Sequence, residues 1–259
     1  MNISDIATSI RANAMLSGRS TTAGSTASSS VTATDPIAQT FAQANKRVQQ
    51  QLDVTSAQLS SFGKLKSAFA DVQGAAKALS NPKASATDAD ISQAATDFVK
   101  AFNSALKTAQ TSQTQATSTQ EVIGARRAQT DLRRVLGSDS SLSSSLKGIG
   151  ITQLSDGSLA IDATKFQAAT KANASDLRAT IAKLGQQGQA VATRELADSG
   201  NVGGAIKALS TQSNSLKARQ SEQQAALASF QQFAKPQSNP FGSSASNGLA
   251  AYASIYSSF

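Results

Sequence analysis

The sequence predicts a mainly α protein: an elongated helical bundle or coiled-coil stalk with one small β-hairpin and disordered termini. Three observations lead there. Large apolar side chains are sparse in these 259 residues, since the apolar fraction is 39 %, much of it Ala, with 5 % aromatics and no Trp. That composition suits helices zipped along narrow seams better than one compact core. From Phe41 to Ala76, candidate seam residues recur every seven positions. Finally, the stretch GIGITQLSDGSLAID at 148–162 interrupts an Ala/Ser/Thr/Gln/Lys background with two short β-type runs around a turn.

Taken in order, residues 1–34 begin with a weakly amphipathic stretch (Ile3, Ile6, Ile10, Met15, Leu16) and continue as a Ser/Thr/Ala/Gly tract that reads as disordered. At Asp35-Pro36 the signals change together, Asp suiting the N-cap and Pro the first helical position. One long helix over 36–80 follows. Its stripe is Phe41, Val48, Thr55, Phe62, Phe69 and Ala76; Leu52 and Leu59 sit four after Val48 and Thr55, and Leu65, Val72 and Leu79 sit three after Phe62, Phe69 and Ala76. Such a stripe buries one seam against partner helices, and the change of spacing marks a shift of the buried face near Phe62.

SNPKASATDAD at 80–90 is a connector, with Asp88 or Asp90 as the next cap, and a helix over 90–112 carries Ile91, Ala94, Ala95, Phe98, Phe102, Ala105 and Leu106. After a polar run, a shorter helix over 121–136 has Val122, Ile123, Leu132, Val135 and Leu136, with Gly137 as its terminating residue. The hairpin occupies 150–162, its runs 151–154 and 158–161 flanking Ser155-Asp156-Gly157. Gly157 is expected at positive φ, and Ile151, Leu154, Leu159 and Ile161 supply apolar side chains, although strand alternation prevents all four from facing inward.

Asp162 caps a helix over 162–172, and Asn173 or Ser175 another over 175–184. Gly185 and Gly188 are expected to interrupt before a helix over 189–198. The last helix, 201–234, carries Val202, Ile206, Leu209, Leu216, Leu227, Phe230 and Phe233, with Ser213, Gln220 and Gln223 weakening the same seam. It is expected to lie antiparallel to the first, with Leu216 near Leu59, because each has one apolar seam in need of a partner. Residues 235–259 are Ser/Gly/Pro-rich and end with Leu249, Tyr252, Ile255 and Tyr256 at helical spacing. The chain thus divides into a flexible segment 1–34, a helical stalk 35–235 and a flexible segment 236–259.

Composition narrows the chemistry. Neither Cys nor His occurs, which removes thiol nucleophiles, thiolate and imidazole metal ligands and the usual general base. Lys64, Lys66 and the many serines form no catalytic motif, and Gly148-Ile149-Gly150 is a lone G-x-G suited to a tight turn. No catalytic residue, metal or cofactor is expected. The net charge of +8 and pI near 9.9 are spread along the chain. The densest basic cluster is Arg126-Arg127 with Arg133-Arg134, two turns apart on one helix side, which gives the alternative reading of a basic coiled-coil protein binding nucleic acid or another anionic surface. No aromatic interleaving supports base stacking. The start lacks a basic region followed by an apolar run, so no cleaved Sec-type signal is expected, and no window approaches a membrane span.

Three blocks, in order, resemble the flagellar hook-associated protein 2 family of filament-capping proteins. Residues 51–80 resemble its N-terminal coiled-coil helix, including S-x-F-G-K-L-K-S-A at Ser60 to Ala68. Residues 90–113 resemble the helix that re-enters after the family's head domains, with F-V-x-A-Y/F-N at Phe98 to Asn103. Residues 148–181 resemble its G-I-x-x-x-x-D-G-x-L-x-I/L-D hairpin and the helices that follow. One departure is large: members usually carry two head domains where this chain has only the short connector after Ser80. The resemblance implies a structural, non-enzymatic component of the distal flagellar axis, extracellular and exported without a cleaved signal. It would be a minimal cap-like protein forming a ring or helical homo-oligomer with flagellin or hook–filament junction proteins as partners and an export chaperone. On this reading the helix seams assemble the stalk, and Ile3, Ile6, Ile10, Leu249, Tyr252, Ile255 and Tyr256 are assembly segments; neither nucleic-acid binding nor membrane insertion is implied.

Overall fold

The computed structural model describes residues 36–82, 86–116, 118–137 and 139–233. Ile3, Ile6, Ile10, Leu249, Tyr252, Ile255 and Tyr256 lie outside them, as do the expectations made for 1–34 and 236–259. The described residues form helices α1 (Pro36–Ser80), α2 (Asp88–Thr114), α3 (Thr119–Gly137) and α4 (Ser140–Gly148), strands β1 (Ile151–Gln153) and β2 (Leu159–Ile161), and helices α5 (Ala163–Ala172), α6 (Ala174–Leu196) and α7 (Asn201–Phe233). The fold is mainly α with one antiparallel hairpin.

Four helix starts are chemically marked. Thr87 caps α2 in a reciprocal box with Asp90, so Asp88 and Asp90 lie inside the first turn instead of at the cap. Asp139, Asp162 and Asn173 cap α4, α5 and α6 by accepting backbone N–H bonds. The Ser141 hydroxyl and then the backbone N–H bonds hold the Asp139 carboxyl below the usual aspartate range, and the Lys165 N–H does the same for Asp162. Helix α4 escaped the sequence reading, because SSLSSSLKG offers only Leu142 and Leu146 as apolar positions. Both are buried, and tertiary contact supplies what the local pattern lacks.

The main core runs between α1, α2, α3 and α6, with Phe62, Phe69, Phe98, Phe102 and Phe166 as its largest fully buried side chains. Its tightest place corrects the expectation at Gly185 and Gly188. Neither interrupts α6, which is continuous. A Cβ at Gly185 would stand 2.6 Å from the Ala76 carbonyl oxygen, and one at Gly188 would stand 2.7 Å from the Phe98 ring. The absent side chains let α6 press onto α1 and α2, and that packing outweighs the helix-breaking tendency of about 1 kcal/mol per Gly.

The hairpin pairs Ile151 with Ile161, Thr152 with Ala160 and Gln153 with Leu159. Its strands are shorter than the apolar runs suggested. Ile151 and Leu159 are buried, and Ile161 packs against the core. Leu154 departs from the expected set: it is 50 % exposed, because it lies three residues past Ile151 and alternation turns it to the opposite face. Gly150 and Gly157 take positive φ, 89° and 87°, and bring the chain into and around the hairpin.

Candidate functional site

Two features of this architecture stand out: a two-helix extension at one end of the bundle, and the clamp that fixes the hairpin to it. The extension comprises roughly 36–58 of α1 and 212–233 of α7. Just before it Phe62 and Asn201 both flank Gly124; along it Leu216 packs with Val48 and Leu52, and the Gln220 side-chain N–H donates to Gln49 at 3.0 Å. Numbers fall along α1 as they rise along α7, so the helices are antiparallel. The expected nearness of Leu216 to Leu59 is corrected by this register. Phe41 and Phe230 are also buried.

The seam of this pair is unusually polar. Thr55, Gln58, Ser213 and Gln223 are buried beside Val48, Leu52 and Leu216. Leu59 is only half-buried, and the adjacent Gln58 donates to Glu121 at 3.0 Å, at the start of α3. Glu121 also accepts from the Ser118 backbone at 3.0 Å. The polar junction therefore marks where the four-helix core ends and the pair continues alone. The Gln223 and Asn45 side-chain oxygens are buried there without hydrogen-bond partners. Such a seam fixes register at a cost in stability, which suits a pair that is finished by further contacts.

Towards the core, Val72, Val202, Phe62, Phe69, Phe98 and Phe102 are fully or almost fully buried, whereas Ile206 and Leu209 pack partly exposed against the same cluster. Leu227, farther along α7, is half-buried.

Two residues outside the hairpin, Asn103 and Arg133, hold it in place. Asn103, the last residue of the F-V-x-A-Y/F-N block, donates from its side chain to the Leu159 carbonyl and accepts from the Leu159 N–H, both at 2.8 Å. Its amide thus acts as a one-residue strand against β2. Arg133 donates to the Asp156 carbonyl at 2.8 Å and lies under Gly157, where a Cβ would come within 2.7 Å of its Nε. Asp156 accepts from the Ser158 backbone and hydroxyl, which holds its carboxyl below the usual range. The signal for Asn103 was its place at the end of a block with two buried Phe; nothing local foretold the role of Arg133.

This geometry also divides the arginine cluster. Arg133 serves the hairpin and Arg134 lies 3.8 Å from Asp131, which leaves Arg126 and Arg127 exposed. The four do not form one phosphate-gripping face.

At the turn from α6 into α7, Glu195 is 1 % exposed and accepts two bonds from Asn201 at 2.9 and 3.1 Å. Burial first, and then its hydrogen bond to Asp131, push the Glu195 carboxyl up to about 7. Asp131 in turn lies 3.4 Å from Arg194.

Among the described residues, no cluster of three His, Cys, Asp or Glu is placed to hold a metal ion, and no helix is long and apolar enough to cross a membrane. What the arrangement offers is helix surfaces and a braced hairpin.

The family model described as flagellar hook-associated protein 2 C-terminus matches residues 83–239. No curated protein and no solved structure matches the chain. The matched region takes in α2 to α7 with both clamp residues, while α1 carries the S-x-F-G-K-L-K-S-A block and completes the core on which they pack. Matched over more than half its length and built on that core, the chain belongs to the flagellar hook-associated protein 2 family.

Proposed function

We propose that this chain is a minimal, headless cap-like component of the distal flagellar axis, whose stalk assembles with its own copies and with flagellin or hook–filament junction proteins. The work is geometric, and no catalytic step is assigned. The observation that carries the reading is the closure between α1 and α2. The two helices pack side by side and are joined within residues 81–87. The α2 end is pinned by the Thr87–Asp90 box and by Arg178, which donates to the Ala86 carbonyl at 3.2 Å. No room is left there for an inserted domain. The two-helix extension, with its polar seam and exposed flanks, is the part suited to lying among other long helices.

Export would proceed without a cleaved signal and with a chaperone, and residues 1–34 and 236–259 would act in assembly outside the cell. Immunogold labelling of an epitope-tagged chain on intact flagella is the direct test. Label at the filament tip or the hook–filament junction is expected; label confined to the cell interior overturns the reading.

A further inference from the structure

The flank of the two-helix extension forms an open groove. Its described lining comes from one face of α1, with Arg47, Gln51, Val54 and Gln58, and one face of α7, with Gln212, Ser215, Leu216 and Arg219. Val54 is one of the two large apolar residues exposed in the described structure, at 44 %. The groove is amide-rich, with a short apolar floor, so it fits a slender helix with small and branched side chains better than a bulky aromatic one.

We infer that this groove is the docking surface for residues 1–16 of the same chain, which pack there as a third helix antiparallel to α1. In helical register, Ile3, Ile6, Ala7, Ile10 and Ala14 share one face. From Ile3 to Ala14 that face is eleven steps long, as is the groove from Arg47 to Gln58, about 16 Å in each case. The faces match in length as well as in side-chain size.

The tether sets direction and occupant. Arg47 lies eleven residues from the start of α1, roughly 17 Å along the axis, and Gln58 roughly 33 Å. Residues 17–35, rich in Ser, Thr, Ala and Gly, have an expected end-to-end distance of about 22–26 Å. That distance matches the Arg47 end of the groove more closely than the Gln58 end, which the tether reaches only by stretching beyond its mean span. Residue 14 therefore lies near Arg47 and residue 3 near Gln58, which brings Ala7 opposite Val54. The tether makes docking intramolecular, at an effective concentration of about millimolar, so a shallow groove suffices. The stretch 249–256 is a poorer occupant, since it spans only about 12 Å as a helix and presents two Tyr rings.

The chain contains no Cys, so introduced pairs report cleanly. The test uses the full-length chain carrying Ala7→Cys and Val54→Cys, oxidised at a series of dilutions, with Ile10→Cys and Val54→Cys as the parallel-register comparison. Val54 is 44 % exposed, so its replacement leaves the buried core intact. The expected result is an intramolecular cross-link of the first pair whose rate is unchanged over a hundredfold dilution. It should exceed the comparison pair at least fivefold and fall at least tenfold on adding Ile6→Ser and Ile10→Ser. Cross-linked dimers that increase with concentration would assign the groove to a second copy, and equal rates for both pairs or indifference to the serine changes would show only random collision; each overturns the proposal. The outcome is independent of flagellar incorporation, so the docking and the proposed function can fail separately.

Discussion

At the residue scale, Glu195 and the glycines of α6 carry the sharpest consequences. The Glu195 carboxyl titrates near 7 in the fold and near 4.5 in the unfolded chain. Between those values the folded state keeps a proton that the unfolded state has released, so the associated stability is full below about pH 4.5 and is lost as pH rises to about 7. The loss is on the order of 3 kcal/mol. Glu195→Gln keeps the hydrogen-bonding shape and removes the ionisation, so denaturant midpoints measured from pH 4.5 to 7.5 should flatten relative to the parent.

Gly185→Ala should destabilise by about 1–3 kcal/mol, because a methyl group meets backbone atoms of α1 that cannot move aside. Gly74→Ala, with nothing within 4 Å of the new atom, should instead stabilise by about 0.5–1 kcal/mol through helix propensity. Thermal melts of the two single variants, moving in opposite directions, check both statements. Helix propensity alone assigns these glycines the same cost. Only the packing of α6 on α1 and Phe98 separates them, because a Gly inside a helix costs the same wherever it lies until a neighbour needs its missing side chain.

At the element scale, the register of α1 against α7 is set by polar as well as apolar contacts. Cysteines at Gln49 and Gln220, whose side chains meet at 3.0 Å, should cross-link readily, whereas cysteines at Leu59 and Leu216 should not. The long helices, the hairpin and the caps at Asp162 and Asn173 were legible because each has a local cause: a heptad stripe, a D-G turn or a side chain that accepts backbone N–H bonds. The continuity of α6, the existence of α4 and the outward turn of Leu154 were not legible, since each depends on what lies across an interface. The hairpin itself is held by distant partners, Asn103 and Arg133. Asn103→Ala should therefore unpair one edge of β2 and cost about 1–3 kcal/mol, with hydrogen exchange accelerated at the Leu159 amide above all.

At the scale of the whole molecule, stability is distributed unevenly. Residues 62–79 of α1 lie in a core shared with α2, α3 and α6, whereas residues 36–58 have α7 and a seam with two unpartnered amide oxygens. Amides of 36–58 and of 218–233 should exchange well before those of 62–79. Phe69→Ala, at a site with no exposure, should cost about 3–5 kcal/mol in global stability. Deleting 236–259 should leave the melting of the core unchanged while abolishing incorporation into the flagellum, as read by microscopy of labelled filaments. Deleting 1–34 should do the same and, in addition, speed exchange in 36–58, where the third helix is lost.

Local periodicity, capping and turn chemistry, each contained within one stretch of chain, specify the mainly α class of this protein, its long helices and the place of its hairpin. The tertiary structure alone decided which glycines are contacts and which are merely tolerated. It likewise decided where the bundle narrows to a pair, how α1 and α7 are registered, and which distant side chains clamp the hairpin. Those outcomes depend on shape and hydrogen-bond complementarity between residues tens of positions apart, as from Asn103 to Leu159 or from Gly185 to Ala76, and no local signal in either partner encodes the other.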